Sequence, residues 1–272
     1  MIQWILFAAL LLFWLTAPRL GKRRARRWQG TCFAHRGLHG NGVSENSLGA
    51  FEAACRAGCG IELDVRFSRD GQLIVFHDDT LRRLCGDARQ PEQATLAELK
   101  RLRLPDGESI PTLCEALDRI AGRVPVLIEV KTCRRIFRLT DAVCACLAGR
   151  PGDYLIESFD PRCLFRLRFV APQIVRGQLF PSSEDLPRRL SRAAVLAFCG
   201  LFMNAISRPD FVAYRLAAKY SPVPHLQRLL YRTPMAAWTV RTPAELALAR
   251  RRGDMIIFEG PALAAEAPSE TL

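Results

Sequence analysis

The chain has 272 residues, enough for one large domain, and a single α/β barrel commonly takes about 200 to 250 of them. Its 39 basic and 27 acidic side chains give a formal net charge of +12, which suits anionic substrates or anionic surfaces. No aromatic-interleaved basic stripe is present, so nucleic-acid binding is not expected. The ten cysteines lie mostly in or beside apolar runs and lack zinc-site spacing, which fits buried thiols of a reducing compartment rather than a disulfide framework.

Residues 1–17 carry no charged side chain, and Pro18 followed by Arg19, Lys22, Arg23, Arg24, Arg26 and Arg27 ends the run. The stretch sits at the short edge of the roughly 17 to 25 residues that a spanning helix needs. Its positive charges follow the apolar run, whereas a secretory signal places them ahead of it. By the positive-inside rule the cluster stays in the cytoplasm. The expectation is a membrane-anchor helix over residues 1–18, a basic juxtamembrane linker over 19–30 and a large cytoplasmic domain over 31–272.

From residue 31 onward, short apolar runs alternate with stretches of helical spacing, the pattern of a parallel sheet with crossover helices. The sequence predicts strands at Thr31–Ala34, Ile61–Val65, Pro125–Val130, Tyr154–Ser158, Val175–Phe180, Gly200–Asn204, Met235–Val240 and Met255–Glu259. Between them it predicts helices near Ser47–Ala57, Ile110–Ala121, Phe137–Ala148, Pro161–Val170, Ser183–Phe198, Pro209–Ala218 and Pro243–Arg252. Two of these open on capping boxes, Thr112 with Glu115 and Thr242 with Glu245. Eight strands with helices between them predict a closed (β/α)8 TIM barrel.

One apolar run, Leu73–Phe76, follows Ile61–Val65 too closely for a crossover, and Asp70-Gly71 between them is a hairpin signal. A β-hairpin is therefore expected to fold back from the second barrel strand and return His77 to the barrel mouth. The polar stretch Asp79–Glu108, with a short helix at Leu96–Arg103, then forms a small insertion across or beside that mouth. Ser221–Pro234, with three prolines, reads as a loop broken around a short helix.

In such a barrel the reactive groups sit at the C-terminal strand ends. His35 and Arg36 follow the first strand, Glu62 and Asp64 lie late on the second, and Glu129 and Lys131 end the third. Glu62 and Asp64, two apart on one strand face, supply half of an oxygen site for Mg²⁺ or Ca²⁺, and Glu129 adds a third carboxylate. Arg36 and Lys131 are suited to phosphate oxygens, while His35 and His77 can serve as general base and general acid. Glu45, Asn46 and Trp238 are candidate pocket residues, although Asn46 reads equally as the cap of the helix beginning near Ser47, and Trp238 as a core aromatic. His39 and His225 receive no role.

His35-Arg36-Gly37, Glu45-Asn46-Ser47, Ile61-Glu62-Leu63-Asp64-Val65, Asp70-Gly71, His77-Asp78, Ile110-Pro111-Thr112-Leu113, Ile128-Glu129-Val130-Lys131, Ser158-Phe159-Asp160 and Trp238-Thr239-Val240 resemble the glycerophosphodiester phosphodiesterase family in order and spacing. The resemblance covers about residues 31 to 262. It implies a metal-dependent barrel enzyme, one of the phospholipase-C-like phosphodiesterases, that cleaves a glycerophosphodiester to glycerol 3-phosphate and an alcohol. Position by position it implies one divalent cation, Mg²⁺ or Ca²⁺, on Glu62, Asp64 and Glu129, with His35 and His77 as acid and base and Arg36 and Lys131 on the phosphate. Two departures concern substrate preference: Glu259-Gly260-Pro261 stands where the family often has Asp before a Pro, and the Pro209–Pro234 region is longer than usual. The anchor and that region motivate an alternative, a lysophospholipase D acting on membrane lysophospholipids. An inactive membrane-tethered phosphate-binding protein is a further alternative, against which the complete set of two histidines and three carboxylates argues.

Overall fold

The computed structural model describes residues 1–19, 24–181, 191–216 and 222–266. Nine strands form one sheet: β1 (Cys32–Ala34), β2 (Gly60–Phe67), β3 (Leu73–Val75), β4 (Val126–Val130), β5 (Tyr154–Ser158), β6 (Val175–Leu179), β7 (Phe211–Arg215), β8 (Met235–Val240) and β9 (Met255–Phe258). Eight of them run parallel, and the pairings β1 with β2 and β1 with β9 close them into a barrel. The ninth, β3, pairs antiparallel with the end of β2 in the register Val65 to Val75 and Phe67 to Leu73. This is the hairpin expected from Asp70-Gly71, and Gly71 turns with φ +78°.

Alternation along the strands sorts the side chains. Ile61, Leu63 and Val65 of β2 and Val126, Ile128 and Val130 of β4 point outward into the core shared with the helices. Phe33, Leu127, Leu155, Leu179, Phe211, Ala213 and Ile257 fill the barrel's interior. Trp28 and Ala25, from the short 3₁₀ turn Arg24–Trp28, belong to that interior cluster, so the basic segment before β1 packs against the barrel's N-terminal end. The hairpin and the stretch after it build a separate small core from Ile74, Phe76, Leu81, Leu99, Leu104 and Ile110, which steadies the chain on either side of His77. Glu108 from this stretch accepts the N–H groups of Leu48 and Gly49 at 3.1 and 3.0 Å, and Ser47 Oγ accepts that of Ala50, capping the helix Leu48–Arg56.

Three expectations are corrected. The barrel strand expected at Gly200–Asn204 is instead β7, inside the stretch expected to be a helix over Pro209–Ala218. Phe211 and Ala213 face the barrel interior while Val212 and Tyr214 face the helices, so β7 is apolar on both faces, and such a run cannot be told from a buried helix by periodicity. Ser221–Pro234 is largely a regular helix, Pro222–Tyr231. Of the helix expected over Ser183–Phe198, the observed part is Arg192–Cys199, and its start lies outside the described residues.

The third correction concerns the N-terminus. Its helix, Ile2–Thr16, has 15 residues, and no described helix is long and apolar enough to cross a membrane. At 1.5 Å per residue it reaches roughly 22 Å, short of a hydrocarbon core about 30 Å thick. Its end is also committed elsewhere: Asn204 Nδ2 and Gln227 Nε2 donate to the Thr16 carbonyl at 2.9 and 2.8 Å, and Arg208 Nη1 to that of Trp14 at 2.9 Å. The membrane anchor, the membrane as a partner and the cytoplasmic placement read from the anchor are therefore not supported.

Candidate active site

The inward alternation that fills the barrel with Leu127 and Leu155 continues one step toward the C-terminal end with Glu129 and Glu157, and β2 contributes Glu62 and Asp64. One carboxylate oxygen from each of Glu62, Asp64 and Glu129 lies within 4.8 Å of the others, and all three residues are buried. An anionic, all-oxygen, convergent set fits a hard divalent cation such as Mg²⁺ or Ca²⁺ and has no ligand suited to a soft one.

A surrounding layer fixes these carboxylates. The Arg36 backbone N–H donates to Glu62 Oε2 at 2.9 Å, and Asn46 Nδ2 donates to Asp64 Oδ2 at 2.9 Å. Lys131 Nζ reaches Glu129 Oε1 at 2.8 Å and Asp64 Oδ1 at 3.2 Å. Arg36 and Asn46 both take left-handed backbone, with φ of +56° and +54°, and the Asn46 N–H donates to the Arg36 carbonyl at 2.8 Å. Two non-glycine residues held this way are a strain that the surrounding contacts maintain, as at many functional sites. Asn46 is thus a carboxylate-orienting residue, and the helix cap is Ser47. Glu45 binds the Arg36 guanidinium at 2.7 Å and a second guanidinium, that of Arg83, at 2.7 Å.

Burial and charge set the protonation of the group. Burial pushes the Glu62 carboxyl well above its ordinary range, and the charges of Asp64, Glu129 and Glu157 push the same way. Burial acts likewise on Asp64, but Lys131, His77, Arg36 and the Asn46 hydrogen bond outweigh it and hold Asp64 well below its ordinary value. Lys131, which burial would discharge, is kept protonated by Glu129 and Asp64.

The two histidines stand in different surroundings. Burial lowers the His35 pKa, opposed by Glu259, whose Oε2 lies 3.5 Å from His35 Nδ1. The ring is therefore neutral near pH 7. His77 Nδ1 shares a 2.8 Å hydrogen bond with Asp78 Oδ1. Asp78 is raised by burial but brought down to about 2 by hydrogen bonds from Arg83 and His77.

These groups open into one mouth of about 600 Å³ whose lining includes His35, Arg36, Glu62, His77, Glu129 and Lys131. Phe159, Leu179, Arg215, Trp238, Arg241 and Ile257 complete the lining. Every residue picked from the sequence thus lines this mouth or touches a residue that does. Sequence reasoning passed over Glu157, Arg215 and Arg241 and treated Glu259 only as a departure from a pattern. Glu157 had a legible signal, since it is a carboxylate one residue before the end of a barrel strand, and it proves to be in register with Glu129.

Three buried carboxylates, two histidines and two cationic side chains at the C-terminal mouth of a (β/α)8 barrel define a phosphoric diester hydrolase. The description "Glycerophosphoryl diester phosphodiesterase family" matches residues 35–259, from His35 through Glu259. The chain belongs to that family, and its activity is the hydrolysis of glycerophosphodiesters. YhdW of Bacillus subtilis (strain 168) is 28% identical over 245 residues, 84% of this chain and 93% of its own. The glycerophosphodiester phosphodiesterase of Thermotoga maritima superposes with a TM-score of 0.63 at 28% identity, covering 84% of this chain and 93% of that one. An Oleispira antarctica phosphodiesterase, solved in complex with sn-glycerol-3-phosphate, shares the fold with a TM-score of 0.72 at 21% identity, covering 91% and 99%.

Proposed function

We propose that the enzyme holds one Mg²⁺ or Ca²⁺ on Glu62, Asp64 and Glu129 and releases glycerol 3-phosphate by acid–base catalysis between His35 and His77. The observation that carries this reading is the convergence of the three carboxylates with both histidines in one mouth. When bound, the cation would neutralise charge on the phosphate's non-bridging oxygens. Arg36 and Lys131 orient the same phosphate from the carboxylate side. His35, neutral and with Nδ1 toward Glu259, takes on Nε2 the proton of the attacking hydroxyl, either of water, which gives glycerol 3-phosphate directly, or of the substrate's neighbouring hydroxyl, which gives a cyclic phosphate that a water molecule then opens. His77, steadied by Asp78, gives a proton to the departing alkoxide. The shift of charge onto His35 is offset by Glu259, and Arg241 keeps Glu259 in place through a 2.6 Å hydrogen bond.

No described helix is long and apolar enough to cross a membrane, so the main support for lysophospholipid substrates falls away. The test is release of glycerol 3-phosphate from a glycerophosphodiester by chelator-treated protein, with Mg²⁺ or Ca²⁺ added back. Activity restored by one or both cations supports the reading; full activity in the chelated protein overturns it.

A further inference from the structure

Two thiols meet on the outside of the barrel. Cys114, at the start of the helix Leu113–Ile120, and Cys146, near the end of the helix Ile136–Leu147, have sulfurs 3.0 Å apart. Both are free cysteines, Cys114 exposed and Cys146 half-buried. A disulfide bond is about 2.05 Å long, so the two sulfurs need to close by only about 1 Å to bond. A second contact holds the same two segments together. Asp118, four residues after Cys114, pairs with the guanidinium of Arg150, four residues after Cys146. The segments therefore run side by side in the same direction, with the thiols one turn before the ion pair.

The two thiols are not equivalent. Burial, aided by the hydrogen bond with Cys114, pushes the Cys146 thiol up to about 12, so it keeps its proton near pH 7. Cys114 faces solvent and is the sulfur that a reagent reaches first.

We propose that Cys114 and Cys146 form a reversible disulfide by exchange with a small-molecule disulfide such as oxidised glutathione, stapling together the helices on either side of β4. The Cys114 sulfur attacks one sulfur of the reagent and breaks its S–S bond, and its proton leaves with the first released thiol. Cys146 then attacks Cys114 Sγ and expels the second thiol, which takes the Cys146 proton. Two cysteine thiols have lost two electrons and two protons, and the reagent has become two thiols. In a reducing compartment both cysteines stay as thiols, and the bond forms when the thiol–disulfide balance turns oxidising. The loop that it closes contains β4 with Glu129 and Lys131, so the bond restrains the unfolded chain around a strand of the site. Neither sulfur lines the mouth.

The experiment treats the wild-type full chain with oxidised glutathione or with dithiothreitol, blocks remaining thiols with N-ethylmaleimide under denaturing conditions and maps the peptides by tandem mass spectrometry. Oxidation should join Cys114 to Cys146 and raise Tm by about 5 °C or more, a gain that dithiothreitol reverses. Cys114→Ser and Cys146→Ser should each abolish the gain. Oxidised wild type in which Cys114 is alkylated, carries only glutathione or is joined to Cys144 overturns the proposal, and this arm needs no variant to fold. A Cys114–Cys146 bond that leaves Tm unchanged overturns the staple.

Discussion

His35 Nδ1 lies 3.5 Å from Glu259 Oε2, and Arg241 Nη2 donates to that same oxygen at 2.6 Å. Contact with His35 holds the Glu259 carboxyl at about 2 against the opposing effect of burial, with Arg241 helping. Glu259 is therefore ionised across the working range, and its charge raises the His35 pKa that burial depresses. Removing the charge in Glu259→Gln should lower the His35 pKa further. A base must be neutral to act, so the acid limb of the kcat/KM profile should move to lower pH, with turnover reduced roughly tenfold or more. An acid limb at its wild-type pH with unreduced turnover would remove Glu259 from this role.

Replacing either histidine tests the chemistry directly. His35→Ala and His77→Ala should each lower kcat by roughly 10² to 10⁴ while the far-ultraviolet circular dichroism stays that of the wild type. Activity retained in both variants would sink the acid–base assignment.

The carboxylate cluster predicts opposite effects on stability with and without cation. Glu62 is a buried carboxyl whose pKa is raised, so it destabilises the metal-free protein as pH rises from its unfolded value toward the raised folded one. Glu62→Gln should therefore raise the metal-free melting temperature, by about 2 to 4 °C for each kcal/mol of relief. The same variant should lose the stabilisation that Mg²⁺ or Ca²⁺ gives the wild type, which is about 2.7 kcal/mol at a hundredfold excess over Kd. Scanning fluorimetry with and without cation reads both, and a wild-type-like cation response in the variant would count against Glu62 as a ligand.

The site was more legible than the path of the chain around it. Glu62, Asp64 and Glu129 could be found because alternation along β2 and β4 places charged residues among Ile and Leu, where only a site would keep them. His77 could be found because Asp70-Gly71 permits one local geometry. β7 was missed because burial on both faces removes the period-two signal. The N-terminal helix was misread because hydropathy reports composition, while its length and the hydrogen bonds tying Trp14 and Thr16 to the barrel are tertiary facts. Arg215 and Arg241 were passed over since an arginine at a strand end reads as surface charge until the lining of the mouth is known.

Gly177 shows how the misread strand is seated. A Cβ built on Gly177 of β6 would lie 2.1 Å from Cζ of Phe211, the first residue of β7, so the ring occupies the volume that any side chain at 177 would need. Phe211 is fully buried in the barrel interior and its ring has no room to retreat. Gly177→Ala should therefore destabilise the fold by about 1 to 3 kcal/mol or more through overpacking. It should appear in urea titration as a lowered midpoint with an unchanged slope. Phe211→Leu alone should also destabilise, by leaving a cavity. If the two positions share one volume, the double variant should be more stable than the sum of the single losses predicts, by about 0.5 kcal/mol or more. Strict additivity in that cycle would show that the two residues do not share the space, and with it would fall the seating of β7 against β6.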